Sequence, residues 1–125
     1  MKAVLDAGAF VAVERRDRRV GAILRKLHQD EVPLWTSSAV VAQVWRDGRK
    51  QAQLARLLAA VAIRPLAPFD DRRTGELLAL TRTADVVDAH LVLTVEDDDD
   101  VLTSDRDDIE RLLAARGIAP KIVDV

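Results

Sequence analysis

Three aspartates in separate parts of the chain carry side chains that could do chemistry. Asp6 ends the apolar run AVL, Asp88 lies near the start of a helical pattern, and Asp105 follows the stretch VLTS. Neighbouring carboxylates make one another harder to ionise, so a cluster of them is stable as anions only around a hard divalent cation such as Mg²⁺ or Mn²⁺. If the fold brings the three together, the sequence predicts a metal site.

Other acids near these positions have a simpler explanation. Asp85 can cap the helix that follows it, which leaves Asp88 favoured by the helix dipole without any metal. Asp107 and Asp108 are expected to be solvated acids in the first turn of a helix. The acidic run at 96–100 lacks the spacing and the glycine of an EF-hand, so it is expected to be a solvated loop.

Hydrophobic periodicity predicts strands that alternate with helices. Strands are expected at residues 2–6, 34–36, 61–66, 101–104 and 121–125. Helices are expected at residues 9–14, 18–29, 50–58, 68–82, 85–95 and 108–115, with one more beginning after Ser37 or Ser38. This order indicates an α/β protein with a mainly parallel sheet of about five strands covered on both faces. Sites in such sheets lie at the carboxyl ends of the strands, where two of the three aspartates are expected.

Length and composition bound the rest of the interpretation. A chain of 125 residues without repeats or linkers is expected to form one domain, residues 1–125. The absence of cysteine excludes disulfides and thiolate metal sites and favours a cytoplasmic protein. No apolar segment of signal-peptide or membrane-spanning length precedes Asp6, so no membrane association is expected. The net charge is −2, but the charges are uneven: basic residues concentrate at 15–26 and 46–56, acids at 96–100 and 105–110.

Four stretches resemble the PIN domain and, within it, the VapC-like ribonuclease toxins of bacterial toxin–antitoxin pairs. They are VLDAGAF, TSSAVVAQVWR, DVVDAHLVL and VLTSDRDDI, in family order across nearly the whole chain. The resemblance implies a PIN-like three-layer α/β/α sandwich and an endoribonuclease that depends on Mg²⁺ or Mn²⁺. It implies Asp6, Asp88 and Asp105 as catalytic metal ligands, with Thr103 as a supporting hydroxyl. It also implies a cognate VapB-like antitoxin and a homodimer.

Two positions depart from the family pattern. Gln43 stands where the family usually has a glutamate, and Gly8 stands where it commonly has a hydroxyl residue. An amide brings a dipole instead of a charge, and two opposite charges 4 Å apart interact by about 4 kcal/mol at an effective dielectric near 20. Asp85, or Asp47 one helical turn beyond Gln43, could supply the charge. These departures leave open a degenerate PIN module that binds RNA or a protein without cutting it.

An acidic site repels a polyanion, so RNA would have to be held by positive groups beside it. The candidates are Arg15, Arg16, Arg46 and Arg49. Trp35 and Trp45 lie in apolar patterns and are expected in the core, not as platforms for bases. His28 and His90 are isolated, and each is expected at the surface or beside the site.

A phosphoacceptor receiver domain is the third interpretation, because it has a similar parallel architecture and an acidic edge. That class needs paired acids after the first strand, an aspartate at the end of the third and a lysine after the fifth. This chain has one acid after its first strand, Arg64 and Pro65 in its third, and only Lys121 late in the sequence. The residues therefore favour the metal-dependent nuclease.

Overall fold

The computed structural model describes residues 1–125 as five strands and seven helices. The strands are β1 (Ala3–Leu5), β2 (Leu34–Ser37), β3 (Val61–Arg64), β4 (Asp100–Thr103) and β5 (Lys121–Asp124). The helices are α1 (Ala7–Glu14), α2 (Arg18–Gln29), α3 (Ser38–Val44), α4 (Ala52–Ala59), α5 (Asp70–Thr81), α6 (Val86–Val92) and α7 (Arg106–Ala115). None of these helices has the length and apolar character needed to cross a membrane.

All five strands form one parallel sheet in the order β3-β2-β1-β4-β5, which confirms the predicted α/β architecture. Right-handed crossovers place α1 to α4 on one face of this sheet and α5 to α7 on the other. Helix α1 contacts α2, α3 and α4, and α5, α6 and α7 contact one another. Helices α3 and α6 also contact each other, so the two helical layers meet at this pair.

The boundary between β1 and β4 is the topological switch point of the sheet. The chain leaves β1 toward β2 on one side, and β4 pairs with β1 on the other side and leads to β5. Asp6 directly follows β1, and its backbone N–H donates to the carbonyl of Leu102 at 2.9 Å. Asp105 follows β4 after one intervening residue. Both therefore lie at the edge where parallel sheets form their ligand sites.

The two central strands are fully buried and make this edge rigid. Every residue of β1 is 0 % exposed, as are Val101 and Leu102 of β4. Phe10 from α1 and Ile109 from α7 are also fully buried in the core cluster that covers the sheet on its two faces. Burial of each such side chain contributes about 1.5–3 kcal/mol, so the strand ends that carry the acids are firmly anchored.

Three expectations about single residues are wrong. Trp45 is 39 % exposed, because α3 ends at Val44 and the indole leaves the apolar face of the helix. His90 is fully buried in α6, with its Nε2 atom 3.5 Å from Asp70 Oδ2. Asp99, in the supposedly solvated acidic run, is only 2 % exposed. Trp35, by contrast, packs against the core as expected.

Candidate metal centre

Three carboxylates from two helix starts meet at the carboxyl edge of the sheet. Each of Asp88, Asp105 and Asp108 offers a carboxylate oxygen within 4.8 Å of the other two, and we call these residues the acidic cluster. Asp105 and Asp108 are three residues apart at the start of α7, which puts them on one side of the helix. Asp105 makes no capping hydrogen bond with its side chain, so its carboxylate is free to turn toward the cluster.

Asp88 is the most buried member of the acidic cluster. It is 6 % exposed, and its Oδ2 atom is buried without any hydrogen-bond partner. An unpaired buried acceptor costs about 1–3 kcal/mol, so a cation or a hydrogen-bond donor at this oxygen would be stabilising. Burial, followed by the negative charges of Asp6 and Asp85, raises the pKa of Asp88 from 3.8 to about 7. The carboxylate therefore lacks the positive partner that its anionic form requires.

Asp6 lies beside the acidic cluster and is connected to it by Thr103. Its Oδ1 atom accepts from the backbone N–H of Ala7 at 2.7 Å at the start of α1, and its Oδ2 atom accepts from Thr103 Oγ1 at 2.6 Å. Thr103 Oγ1 in turn accepts from the backbone N–H of Asp105 at 2.9 Å. Burial raises the pKa of Asp6, while the bonds from Thr103 and Ala7 oppose that rise. One hydroxyl thus fixes two of the predicted ligands.

No cationic side chain neutralises Asp6, Asp88 or Asp105, since none of the three takes part in an ion pair. Asp108 has only an exposed partner, Arg111, at 3.8 Å. Desolvation, followed by the negative charge of Asp108, raises the pKa of Asp105. The four acids at this edge therefore form a region of uncompensated negative charge.

The donor set fits a hard divalent cation. All its ligand atoms are carboxylate oxygens, which Mg²⁺ and Mn²⁺ prefer. The three ligand atoms lie within 4.8 Å of one another, so small side-chain adjustments would bring them around one ion. The unpaired Oδ2 of Asp88 is the atom that such an ion would satisfy.

The structure separates the supporting residues that the sequence suggested. Gln43 is exposed, and its side chain forms no hydrogen bond within the chain. The expectation that Asp47 lies one helical turn beyond Gln43 is wrong, because α3 ends at Val44 and Asp47 instead accepts from the backbone N–H of Arg49. Asp85 caps α6 by accepting from the backbone N–H of Asp88 at 3.0 Å. Of the proposed substitutes for a glutamate, Asp85 is the one whose charge acts on the acidic cluster.

Gly8 allows the start of α1 to lie directly against the end of β4. A Cβ atom placed on Gly8 would lie 2.4 Å from Ser104 Oγ and 2.8 Å from Ser104 Cβ. The Ser104 hydroxyl therefore fills the space that a side chain at position 8 would need. A hydroxyl is present at this contact although the sequence lacks one at position 8.

Asp108 is the residue that sequence reasoning missed. It was expected to be a solvated first-turn acid, but it is half-buried and belongs to the acidic cluster. Its neighbour Asp107 is exposed, as expected. The spacing of three residues between Asp105 and Asp108 was the available signal, because it places both on one face of a helix.

The four arginines suggested for RNA binding lie in two places. Arg15 and Arg16 lie at the carboxyl end of α1, whose eight residues span about 12 Å from the Asp6 end. Arg46 and Arg49 lie in the loop after α3. Arg16 also lines a cleft of about 420 Å³ with Val13, Asp17, Arg18, Gly21, Arg25 and Gln53.

No protein-family model matches the sequence, and no curated protein matches it either. Solved structures do match along the whole chain. The structure of VapBC2 from Rickettsia felis bound to a DNA fragment from their promoter matches with a TM-score of 0.69 and 14% identity, covering 100% of this chain and 99% of that chain. The structure of FitAB bound to an IR36 DNA fragment matches with a TM-score of 0.67 and 14% identity, covering 98% and 94%.

The chain has a PIN-like fold. At 14% identity the likeness to VapBC2 and FitAB concerns the backbone architecture alone. The PIN-like sheet order and the two helical layers agree with the sandwich that the sequence motifs implied. The chemistry of this PIN-like chain has to be argued from its own side chains.

Proposed function

We propose that this chain is a metal-dependent endoribonuclease that hydrolyses RNA phosphodiester bonds, the toxin of a VapBC-like toxin–antitoxin pair. The observation that carries the proposal is the acidic cluster at the switch point of the sheet. Its carboxylates lie within 4.8 Å of one another, and Asp88 Oδ2 is buried and unpaired. A structural role alone does not account for a buried acid without a partner.

The side chains present support a hydrolytic role at this edge. Asp88, Asp105 and Asp108 would hold Mg²⁺ or Mn²⁺, with Asp6 beside them. When bound, such an ion lowers the pKa of a coordinated water and neutralises negative charge at the scissile phosphate. Thr103 holds the Asp6 carboxylate in a fixed orientation through its 2.6 Å hydrogen bond. The chain has no cysteine, so a thiolate nucleophile is excluded.

Cleavage of total RNA by the purified protein in Mg²⁺ or Mn²⁺ tests the enzymatic part. Asp6→Ala and Asp88→Ala are expected to abolish cleavage, and excess EDTA is expected to stop it. Asp107→Ala is the matched control, because this exposed acid lies on the same turn as Asp108 but outside the acidic cluster. Cleavage that persists in the two variants or in EDTA would overturn the mechanism.

The toxin assignment is supported by the fold and by the resemblance of the four motifs. The structural neighbours VapBC2 and FitAB are complexes bound to DNA fragments. For this chain we propose a VapB-like antitoxin as partner and a homodimer as the oligomeric state. Expression without the adjacent reading frame should arrest growth, and expression with it should not. Light scattering of the purified protein measures the oligomeric state directly.

The degenerate module that binds without cutting is the second candidate, and Gln43 is the residue that favours it. Gln43 brings no charge and its side chain forms no hydrogen bond with the acidic cluster. If the wild-type protein is inert in Mn²⁺ and Gln43→Glu cuts RNA, the degenerate interpretation is correct. Activity of the wild-type protein decides for the nuclease.

A further inference from the structure

The loop after α3 exposes an indole among positive charges. Trp45 is 39 % exposed, although the sequence pattern placed it in the core. Arg46, Arg49 and Lys50 follow within five residues, and Asp47 is the only acid among them. We call residues 45–50 the Trp45 loop. The proposed mechanism does not use this loop.

Gln51 gives the Trp45 loop a fixed shape. It is only 8 % exposed, and its Oε1 atom accepts from the backbone N–H groups of Arg46 at 2.7 Å and Asp47 at 2.9 Å. Its Nε2 atom donates to the carbonyl of Val44 at 2.9 Å and to the carboxylate of Glu14. A buried amide with all these partners holds the backbone on both sides of the indole. The loop therefore has a defined conformation, although it is exposed.

The indole of Trp45 packs against Gly48. A Cβ atom placed on Gly48 would lie 2.7 Å from Trp45 Cζ2 and 3.3 Å from Trp45 Cη2. The ring rests directly against the backbone of Gly48, and any side chain there would displace it. Because Trp45 is 39 % exposed, part of the indole surface remains open to a flat partner.

The charges beside the indole identify the class of ligand. The Arg49 side chain is 93% exposed and makes only a loose ion pair with Asp47 at 3.6 Å. Arg46 uses Nη1 for two carbonyl groups at the end of α3, which leaves its Nε and Nη2 atoms free. Proteins that bind single-stranded nucleic acid combine an exposed aromatic ring, on which bases stack, with cations that contact the phosphates.

The position of the loop suits a substrate that reaches the acidic cluster. Helix α3 begins at the carboxyl edge of the sheet and packs against α6, which carries Asp88. Its seven residues span about 10 Å. At a rise of about 3.4 Å per stacked nucleotide, that length corresponds to about three nucleotides.

We propose that the Trp45 loop binds single-stranded RNA, with one base stacked on Trp45 and the backbone phosphates held by Arg46, Arg49 and Lys50. This inference rests on the proposed function for the identity of RNA as substrate. It adds the place at which the chain would hold that RNA, which is outside the acidic cluster that would repel it.

Binding of a fluorescein-labelled oligouridine of about ten nucleotides, followed by anisotropy in EDTA, tests the proposal without cleavage. Loss of one stacked base corresponds to about 1–3 kcal/mol, so Trp45→Ala is expected to weaken binding about 5- to 150-fold. Trp45→Phe keeps an aromatic ring and is expected to retain most of the affinity. Gly48→Ala, which displaces the indole, is expected to weaken binding several-fold. Unchanged affinity in Trp45→Ala, or no binding by the wild-type protein, would overturn the proposal.

The emission of Trp45 gives an independent measurement. The chain has two tryptophans, so Trp35→Phe leaves only the indole of the Trp45 loop. Unlabelled oligouridine should quench that emission, and quenching should be absent in Trp45→Phe. An equal quench in Trp45→Phe contradicts stacking at this site.

Salt dependence separates the phosphate contacts from the stacking contact. Loss of one phosphate contact lowers the slope of log affinity against log salt by about 0.7 for single strands. Arg49→Gln should show this decrease, and Trp45→Phe should leave the slope unchanged. A slope that is unaltered in both Arg49→Gln and Arg46→Gln refutes the phosphate contacts.

Failure of this inference is distinct from failure of the nuclease proposal. Asp88→Ala should abolish cleavage in Mn²⁺ but should not reduce oligouridine binding in EDTA. If the loop instead binds a protein, Trp45→Ala will keep the wild-type RNA affinity, and the present proposal is wrong. If Trp45-dependent binding is found without any cleavage, the proposal for the Trp45 loop is supported, and the chain is the degenerate module that binds without cutting.

Discussion

Buried carboxylates lie at both edges of the same sheet, and they differ in whether a cation faces them. At the amino edge, Asp99 is 2 % exposed and pairs with Lys2 Nζ at 2.6 Å. It also accepts from the backbone N–H groups of Lys2 and Glu96. At the carboxyl edge, Asp88 is 6 % exposed and has one oxygen without any partner. Asp99 and Asp88 are buried to almost the same extent, but only Asp99 has a cationic partner.

The pKa values of these acids follow the surroundings. Burial acts to raise the pKa of Asp99, but the hydrogen bonds from Lys2 and Glu96 lower it below the ordinary value. Burial and neighbouring acids raise the pKa of Asp88 to about 7. A buried acid that serves the fold is supplied with a cation from the chain itself. The acids at the carboxyl edge lack one, and this difference is what supports the proposed metal site.

Asp99→Ala is expected to produce the largest effect. It removes a buried partner of Lys2 and three hydrogen bonds, and breaking a buried pair costs about 3–5 kcal/mol. Urea unfolding measures this loss. Asp88→Asn should not destabilise the metal-free protein in the same assay, because it removes a charge that has no partner. A similar loss in both variants would contradict the difference between the two edges.

Asp108→Asn should weaken Mn²⁺ binding at least about 10-fold, because changing even a residue that only supports the ligands typically costs about 10- to 100-fold. Isothermal titration calorimetry measures this affinity. Asp107→Asn, one residue away and exposed, is expected to bind Mn²⁺ as the wild-type protein does. Equal affinities in Asp108→Asn and the wild type would remove Asp108 from the site.

Gly8→Ala tests the contact that positions the carboxyl edge. The new methyl group would lie 2.4 Å from Ser104 Oγ, and overpacking of this kind costs about 1–3 kcal/mol. Because Ser104 lies between Thr103 and Asp105, the variant should also lose Mn²⁺ affinity. The double variant Gly8→Ala with Ser104→Gly should regain stability in urea unfolding. If the double variant is no more stable than Gly8→Ala, the clash is not the cause.

The pH dependence of stability should have opposite signs at the two edges. The pKa of Asp88 is above its ordinary value of 3.8 in the folded protein, so only the folded state binds this proton between about pH 4 and about pH 7. The free energy of unfolding without metal therefore falls by about 1.4 kcal/mol per pH unit as pH rises through that window. Asp99 has a lowered pKa, so its contribution is lost as pH falls below about 4.

Urea unfolding in EDTA across this window, with Asp88→Asn beside the wild-type protein, measures the Asp88 contribution. The asparagine variant should lack the decrease, and saturating Mn²⁺ should offset it in the wild-type protein at the upper end. A wild-type profile that matches Asp88→Asn would show that Asp88 ionises normally.

Gln43→Glu should have the smallest effect. Gln43 is exposed, and a unit charge even at 4 Å from another contributes only about 1 kcal/mol in water. The variant should therefore change Mn²⁺ affinity by less than about fivefold. A larger gain in calorimetry would place position 43 at the metal, and would support the degenerate interpretation of the wild-type chain.

Much of the architecture could be predicted from the sequence, because buried parallel strands appear as short apolar runs between helical patterns. The acidic edge followed from the same reasoning, since Asp6 and Asp105 come directly after such runs. The close approach of Asp88, Asp105 and Asp108 could not be predicted in this way. It depends on how α6 and α7 pack against each other across the switch point, and periodicity does not encode that packing.

The residues that sequence reasoning misjudged share a physical cause. Trp45 and Asp47 were assigned to a longer helix, but α3 ends at Val44, where Gln51 binds its last carbonyl. Asp99 was assigned to solvent because its neighbours are acidic, but Lys2, 97 residues away, buries it. His90 was expected at the surface or beside the site, but α6 packs against α3, α5 and α7, and the residue is fully buried. The end of α3 depends on a side chain seven residues further along, and the burial of Asp99 and His90 depends on distant parts of the chain. Local composition reveals none of these contacts.

The Thr103 hydroxyl has one hydrogen, and the direction of that hydrogen distinguishes Asp6 from the other three acids. That hydrogen points to Asp6 Oδ2, because the hydroxyl oxygen accepts from the N–H of Asp105. Asp6 is thereby held as an acceptor, whereas Asp88 keeps a buried oxygen without a partner and has a pKa of about 7. Near neutrality a divalent ion bound at this oxygen would displace a proton from Asp88. Ion uptake by the protein is therefore expected to release protons into solution.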